Sequence, residues 1–460
     1  MNWLKFGCQK LSKRPDMIGE PRRHRRSLWE PLDVLAVAAS MTPVRTLYIS
    51  YDGVLEPLGE SQVVSYLERL SPAYEITVLS FEKAGDARDT ERVSRMRARL
   101  AAAGIRWVPL RYHRRPPVLS TAFDALRGMW CAFFWLLRER AGLVHARGYV
   151  PSLIAVFLKG MFDTKFLFDM RGFWADEKVD GGEWSRQSLI YKITKRCEKR
   201  FFESADAIVS LTYEGVKAFP ELGYRIRSGI PIEVITTCTD LERFAPGPKD
   251  QILVSRLRLD DHLVIGCTGS VSAWYLRQAM LEYLAYLTQS LERAKILIVT
   301  QEDHEKLRAD ALRAGIPKEQ WVLVRASFAE MPEYVRLMDL GVFFIKPCFS
   351  KKGSCATKLG EFLATGVPVV INAGVGDSGR IVQEHKAGVV LSDVRIEKFT
   401  ASLSEIEQLL NDPGIKHRCR AAARRYFDLS GGVKKYAMLY RTLSGTASAP
   451  VGSVWKNSRL

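Results

Sequence analysis

Residues 354–372 read SCATKLGEFLATGVPVVIN. Thr357 to Thr365 has helical spacing, Gly366 stops the helix, and the run VPVVI has the β-branched character of a short buried strand. A helix feeding directly into a strand that is apolar on both faces is the unit of a parallel, helix-covered sheet. Lys358 and Glu361 stand three residues apart on one face of the helix's first turns. Ser354 and Thr357 lie at its start, where free backbone N–H groups attract negative charge. One place therefore combines a cation, a carboxylate and an anion-binding helix end.

The same alternation runs outward in both directions. From Val44 on, strand-like runs RTLYIS, YEITVLSF, IRWVPL, GLVHA, KFLFDM and DAIVSL are separated by helical stretches such as SQVVSYLERL and TERVSRMRARLAAAG. The segment GIPIEVITTCTDLERFAPGPKD then reads as a linker. A second series follows: LVIGCTGS, AKILIVT, WVLVRAS, LGVFFI, VPVVIN and GVVLS. The fold class is thus α/β, with two Rossmann-like, doubly wound parallel-sheet domains in tandem. The expected limits are a basic, poorly ordered extension over 1–43, a first domain over 44–230 and a second over 231–425. An amphipathic helix over 426–446 and a frayed tail over 447–460 complete the chain.

A length of 460 residues also favours two domains, and 47% apolar content excludes an intrinsically disordered chain. Lys and Arg number 68 against 51 Asp and Glu, a net charge of +17. That balance suits nucleotides, acidic membranes or nucleic acid, or else reflects a merely basic solvated surface. No aromatic–basic repeat supports nucleic acid, so none is expected as a partner. The eight cysteines show no CxxC spacing, which predicts a reducing compartment and no metal cluster, with Cys131 and Cys267 as core thiols. No apolar run reaches the roughly 20 residues that cross a bilayer. The run MWCAFFWLL, 129–137, reads as a core helix, a helix lying in a membrane surface being the alternative. The expected location is the cytoplasm, with peripheral contact at the inner face of the cell membrane as an option.

Ligands of open α/β sheets collect beyond the carboxyl ends of strands, and five loops there carry chemistry. In YISYDGVLEPLGESQ the glycines, Gly59 among them, let backbone approach a ligand ahead of a helix beginning near Ser61. In LVHARGYVP, His145 and Arg147 leave a buried strand, and His145 could donate to a substrate. In FLFDMRGFWADEKVDGGEW, Asp169, Arg171, Asp176 and Glu177 stand beside Phe173, Trp174 and Trp184, a mixture of carboxylates and flat rings suited to sugars. In GCTGSVSAWY, Gly269 and Ser270 form a turn favourable to phosphate. In the opening stretch Lys358 could neutralise a diphosphate while Glu361 gripped a ribose diol.

Taken together, SYDGVLEPLGESQVVSYL, VHARGYVPSLIA, FDMRGFWADEKVDGGEW, CTDLERF and TKLGEFLATGVPVVINAGVGD resemble segments of the retaining glycosyltransferases of family four, in the same order, from about Val44 to about Leu443. The resemblance implies the GT-B fold, two domains facing across a cleft. It implies a metal-independent hexosyltransferase with no resident cofactor. The donor would be a nucleotide-diphosphate sugar and the acceptor a glycan or lipid-linked saccharide. Residue by residue, it implies a donor site of Gly59, Gly269, Ser270, Lys346, Ser354, Thr357, Lys358 and Glu361. It places acceptor contacts at Asp169, Arg171, Trp174, Asp176 and Glu177, and chemistry at His145, Arg171, Lys358 and Glu361. The sequence departs from the family in having Gly353 where a second, sugar-facing glutamate commonly stands. The basic pair for the diphosphate is also incomplete, leaving Arg277, Lys346 or Lys352 as substitutes. A nucleotide-sugar epimerase of the same fold and a non-catalytic nucleotide-sugar-binding protein are the competing readings.

Overall fold

A computed structural model describes residues 44–271 and 274–445. The expectations for the N-terminal extension and the frayed tail fall outside the described residues. Among the described residues thirteen strands form two all-parallel sheets. The first holds β1 (Val44–Ser50), β2 (Tyr74–Glu82), β3 (Arg106–Arg111), β4 (Leu143–Arg147), β5 (Lys165–Asp169), β6 (Ala207–Ser210) and β7 (Ile232–Val234) in the order β3-β2-β1-β4-β5-β6-β7. The second holds β8 (Leu263–Thr268), β9 (Ala294–Val299), β10 (Trp321–Val324), β11 (Leu340–Phe343), β12 (Val369–Asn372) and β13 (Gly388–Leu391) in the order β10-β9-β8-β11-β12-β13. Both orders reverse beside the first strand, the point where a doubly wound sheet opens a crevice for ligand. The apolar runs of β4, β8, β9 and β12 are buried almost throughout, as helices on both faces require.

The first sheet extends past the expected boundary at 230. Ile232–Val234, inside the presumed linker, pairs with β6 as its edge strand. Only then does the chain cross, through residues 235–250, to the helix Gln251–Arg256 that opens the second domain. The last helix, Leu429–Leu443, returns to the first domain. Leu429, Tyr436, Leu439, Tyr440 and Leu443 join the cluster of Tyr48, Val64, Tyr66 and Leu67. Its start is held by Asp428, whose carboxylate accepts from the N–H groups of Ser430 and Gly431.

Candidate active site

The helix Thr357–Thr365 follows the loop after β11, and Gly366 ends it in the left-handed conformation (φ +83°) that glycine adopts without strain. Its amino end carries no side-chain cap, so its first N–H groups are open to an anion. The N–H of Ser354 is already used, donating to Lys351 O at 3.2 Å. Lys358 is buried, and its Nζ donates to Ser270 O at 2.7 Å and lies 3.8 Å from the Tyr275 ring centroid. Gly269, in a left-handed turn at φ +68°, lies against the same lysine, about 4 Å from where its Cβ would be. The structure therefore unites Lys358, Gly269 and Ser270. Burial lowers the Lys358 pKa to about 8, against the supporting charges of Glu361 and Glu302.

Glu361 lies one turn further on and lines a small cleft between the domains with Thr357, Arg243, Phe328, Ser61 and Gln62. Its carboxylate makes no hydrogen bond and no ion pair among the described residues. Burial pushes its pKa up to about 7, with Lys358 and Arg243 pulling the other way. Arg243 went unremarked in the sequence because it sits in a turn with no periodic pattern. Its guanidinium donates to Phe328 O at 2.7 Å and stacks 3.9 Å from that ring's centroid, which fixes it beside Glu361. Gln62 donates to Cys238 O at 3.0 Å, and its Oε1 is buried without a partner.

The remaining residues are placed differently. Gly59 serves packing: a Cβ there would stand 1.9 Å from Gly53 O. The helix begins at Pro57, not near Ser61, with a wide turn over Glu60–Val64. The N–H groups of Val54 and Leu55 donate to the buried carboxylate of Glu82 at 3.0 and 3.2 Å. This loop's amides are thereby satisfied internally. Arg277 is committed to Glu302 and Asp310, at 2.9 and 2.8 Å. Lys346 donates to Asp180 O, and Lys352 pairs with Glu221.

Those last contacts belong to a junction between the domains. The segment Phe349–Gly353 docks on the helix Trp174–Asp180. Lys351 pairs with Glu177, and Ser350 N donates to Asp180 Oδ2 at 2.9 Å. Nearby, Asp377 accepts from Tyr213 N and Glu214 N at 2.7 and 3.2 Å, and Thr212 Oγ1 donates to Lys352 O at 2.6 Å. Asp176 is buried, accepting from Tyr191 Oη (2.8 Å) and Lys195 Nζ (2.9 Å). Trp174 packs on Trp184 and Tyr149. The carboxylates of Asp176 and Glu177, expected to meet an acceptor, are thus already neutralised by protein cations.

His145 also departs from expectation. It lies within β4, not at its end, and is 1% exposed beneath the last helix. Its Nδ1 is 2.8 Å from Tyr440 Oη, and burial lowers its pKa. At the carboxyl edge of the first sheet, Asp169 lies 3.6 Å from His145, 3.7 Å from Arg147 and 3.8 Å from Arg171. Burial opposes its charge, but Arg171, His145 and Arg147 together hold its pKa down at about 2. His145 Nε2, Arg147 Nε and Asp169 Oδ1 are buried without hydrogen-bond partners. Arg171, strained at φ +57°, makes no hydrogen bond among the described residues.

Gly353 explains the absent second glutamate. A Cβ there would lie 3.2 Å from the Phe173 ring and 3.3 Å from Gly172 Cα, and Gly215 presses on the other side. The first domain occupies the space a longer side chain would need.

Residues 60–231 match the model of a glycosyl transferase 4-like domain. Among solved structures, sucrose-phosphate synthase (tll1590) from Thermosynechococcus elongatus is similar with a TM-score of 0.65 and 13% identity, covering 88% of this chain and 100% of that one. A glycosyltransferase from Rickettsia africae ESF-5 gives 0.64 and 12% over 88% and 100%. Anabaena Alr3699/HepE in complex with UDP and glucose gives 0.64 and 14% over 87% and 99%. No curated protein matches the sequence. At these identities the likeness establishes the fold, the two-domain GT-B arrangement, and within it residues 60–231 match a glycosyl transferase 4-like domain.

Proposed function

We propose that this protein transfers a hexose-type sugar, with retention, from a nucleotide-diphosphate sugar to a glycan or lipid-linked acceptor. The observation that carries this reading is the unpartnered, half-buried carboxylate of Glu361 in the cleft between the domains, one turn beyond an uncapped helix end and a buried lysine. An acceptor-only group that is desolvated but unbonded is costly unless a ligand supplies donors. A ribose diol supplies two. The diphosphate would then meet the open N–H groups near Thr357 and the Lys358 ammonium. The Anabaena structures with UDP, and with UDP-glucose, support that donor class.

In this reading the bond from the anomeric carbon to the phosphate oxygen breaks as the acceptor oxygen bonds to the same carbon from the same face. The acceptor proton passes to the leaving phosphate oxygen. Lys358, Arg243 and the helix end stabilise the departing charge. Arg171, with its free donors at the edge of β5, faces the acceptor half, and His145 positions the last helix without touching substrate. Closure of the two domains excludes water and limits hydrolysis.

The test measures sugar release and transfer by the full chain from a panel of nucleotide-diphosphate sugars, wild type against Glu361→Ala. Loss of turnover by about a hundredfold or more is expected. Undiminished turnover in the variant would overturn the assignment, and release of isomerised sugar nucleotide without acceptor would replace it with the epimerase reading.

A further inference from the structure

The run expected to be a core helix is the middle of an exposed one. Helix Leu119–Glu139 turns Leu119, Phe123, Leu126, Trp130, Phe134 and Leu137 to solvent, with Leu119 at 69% and Trp130 at 64% exposure. At about 100° per residue these six positions fall within an arc of about 80°. The opposite face is built from small residues. Ala125, Gly128 and Ala132 are buried, and a Cβ on Gly128 would stand 2.6 Å from Ile154 and 2.9 Å from Phe81. The helix is held tightly by its small side, and its bulky apolar side is left outward. That inversion does not serve folding. It exposes a continuous apolar stripe of the kind that marks an interaction surface.

Two further helices also expose apolar side chains. Phe157 and Met161 on Tyr149–Met161, and Leu189 and Ile193 on Leu189–Ser204, are also exposed. The rim is basic: Arg114, Arg115, Arg127, Arg138 and Arg140 are exposed around the first helix, and Lys192, Arg196, Lys199 and Arg200 on the third. The acidic groups of the first helix are withdrawn. Asp124 is buried and bonded to Tyr51 Oη (3.0 Å) and His113, and Glu139 pairs with Arg106. Among the described residues no helix is long and apolar enough to cross a membrane.

We propose that this face docks on an anionic lipid bilayer, the helix lying in the surface plane with its stripe sunk among the acyl chains and the arginines on the headgroups. Interfacial helices have this combination of apolar face and basic flanks. The helix starts at the carboxyl edge of the first sheet, where Asp124 meets Tyr51 just beyond β1. Docking therefore brings the acceptor side of the cleft next to the lipid surface. The inference goes beyond the transfer reaction and does not depend on it.

The experiment is co-sedimentation of the full chain with phosphatidylcholine vesicles, with and without about a third phosphatidylglycerol, comparing wild type with a Trp130→Ser, Phe134→Ser double variant. Both replaced side chains are exposed, so thermal unfolding should be unchanged. Wild type should bind the anionic vesicles, less so at raised salt. The variant should bind about tenfold more weakly or worse. Carbene labelling of residues 119–137 should be heavy in free protein and suppressed by vesicles. No binding to anionic vesicles overturns the proposal, as does equal binding by the variant, which would locate attachment elsewhere. A dimer in sedimentation velocity that the double variant disperses would make the face a contact between copies. Labelling already suppressed in free monomer would show that the chain's own residues cover it.

Discussion

Replacing Glu361 by glutamine separates what the cleft does for binding from what it does for folding. The carboxylate has a folded-state pKa of about 7 against an ordinary value of 4.5. Because that pKa is raised, the folded state favours the protonated form. Stability contributed by the neutral acid is full below about pH 4.5 and is lost as pH rises through about 7. At pH 8 the ionised group therefore penalises the fold, by at most about 3 kcal/mol from the size of the shift. Two effects reduce the gain from Glu361→Gln. The side chain is partly exposed, and the substitution removes a charge that supports Lys358. A net stabilisation of about 1–2 kcal/mol at pH 8 remains, worth a few degrees in Tm for a domain of this size. At pH 5 it should shrink to about a quarter, since the folded carboxyl is then protonated and only the unfolded chain's is partly ionised. The same substitution should abolish the rise in Tm produced by a nucleoside diphosphate, because the amide replaces one of the two acceptor oxygens, and the charge, with an NH2 donor facing the ribose hydroxyls. Thermal unfolding of both proteins at pH 5 and pH 8, with and without ligand, supplies all four values. A variant less stable than wild type at pH 8 would refute the reasoning. The carboxylate would then be stabilised within the protein and not held in reserve for a ligand.

Affinity for a nucleoside diphosphate should be greatest between about pH 7 and pH 8, where Glu361 is ionised and Lys358 still protonated. Calorimetric titration should show it falling by about tenfold per unit below that window as Glu361 takes up its proton, and falling again above it as Lys358 loses its own. Gly353→Glu, which installs the glutamate common in the family-four glycosyltransferases that the sequence resembles, should lower Tm and transfer rate together, because the side chain has no room between Phe173, Gly172 and Gly215. A Gly353→Glu enzyme as stable and as active as wild type would show that the domains open there at little cost.

The elements legible in the sequence were those whose pattern is local. The helix Thr357–Thr365, its stop at Gly366 and the apolar strands of both sheets follow from spacing and from the conformational freedom of one glycine. The strand β7 was not legible, since three residues in a proline- and glycine-bearing run pair only because β6 offers them an edge. The helix Leu119–Glu139 was misread for a different reason. Hydrophobicity identifies the bulky stripe, but the tight fit of Gly128 against Phe81 and Ile154 decides which face goes inward. Along a strand buried on both faces, alternation does not reveal what His145 meets, and its partner Tyr440 is 295 positions away. The acidic loop looked free for the same reason: Lys351, which neutralises Glu177, lies 174 positions further on.

The two halves of the cleft are consequently built on different principles. On the second domain, Lys358 and Glu361 stand on one rigid helix, so their separation is fixed whether or not the domains move. On the first, Arg171 sits at strained backbone just before Gly172 and Phe173, the residues that press on Gly353. Any opening of the domains that relieves this contact also frees the backbone beside Arg171. In the proposed reaction, loading of the donor and setting of the acceptor edge would thereby be linked through one contact of two glycines and a ring. A glutamate at 353 would hold that contact apart, whereas glycine lets Gly172, Phe173 and Gly215 of the first domain pack directly on the segment Phe349–Gly353.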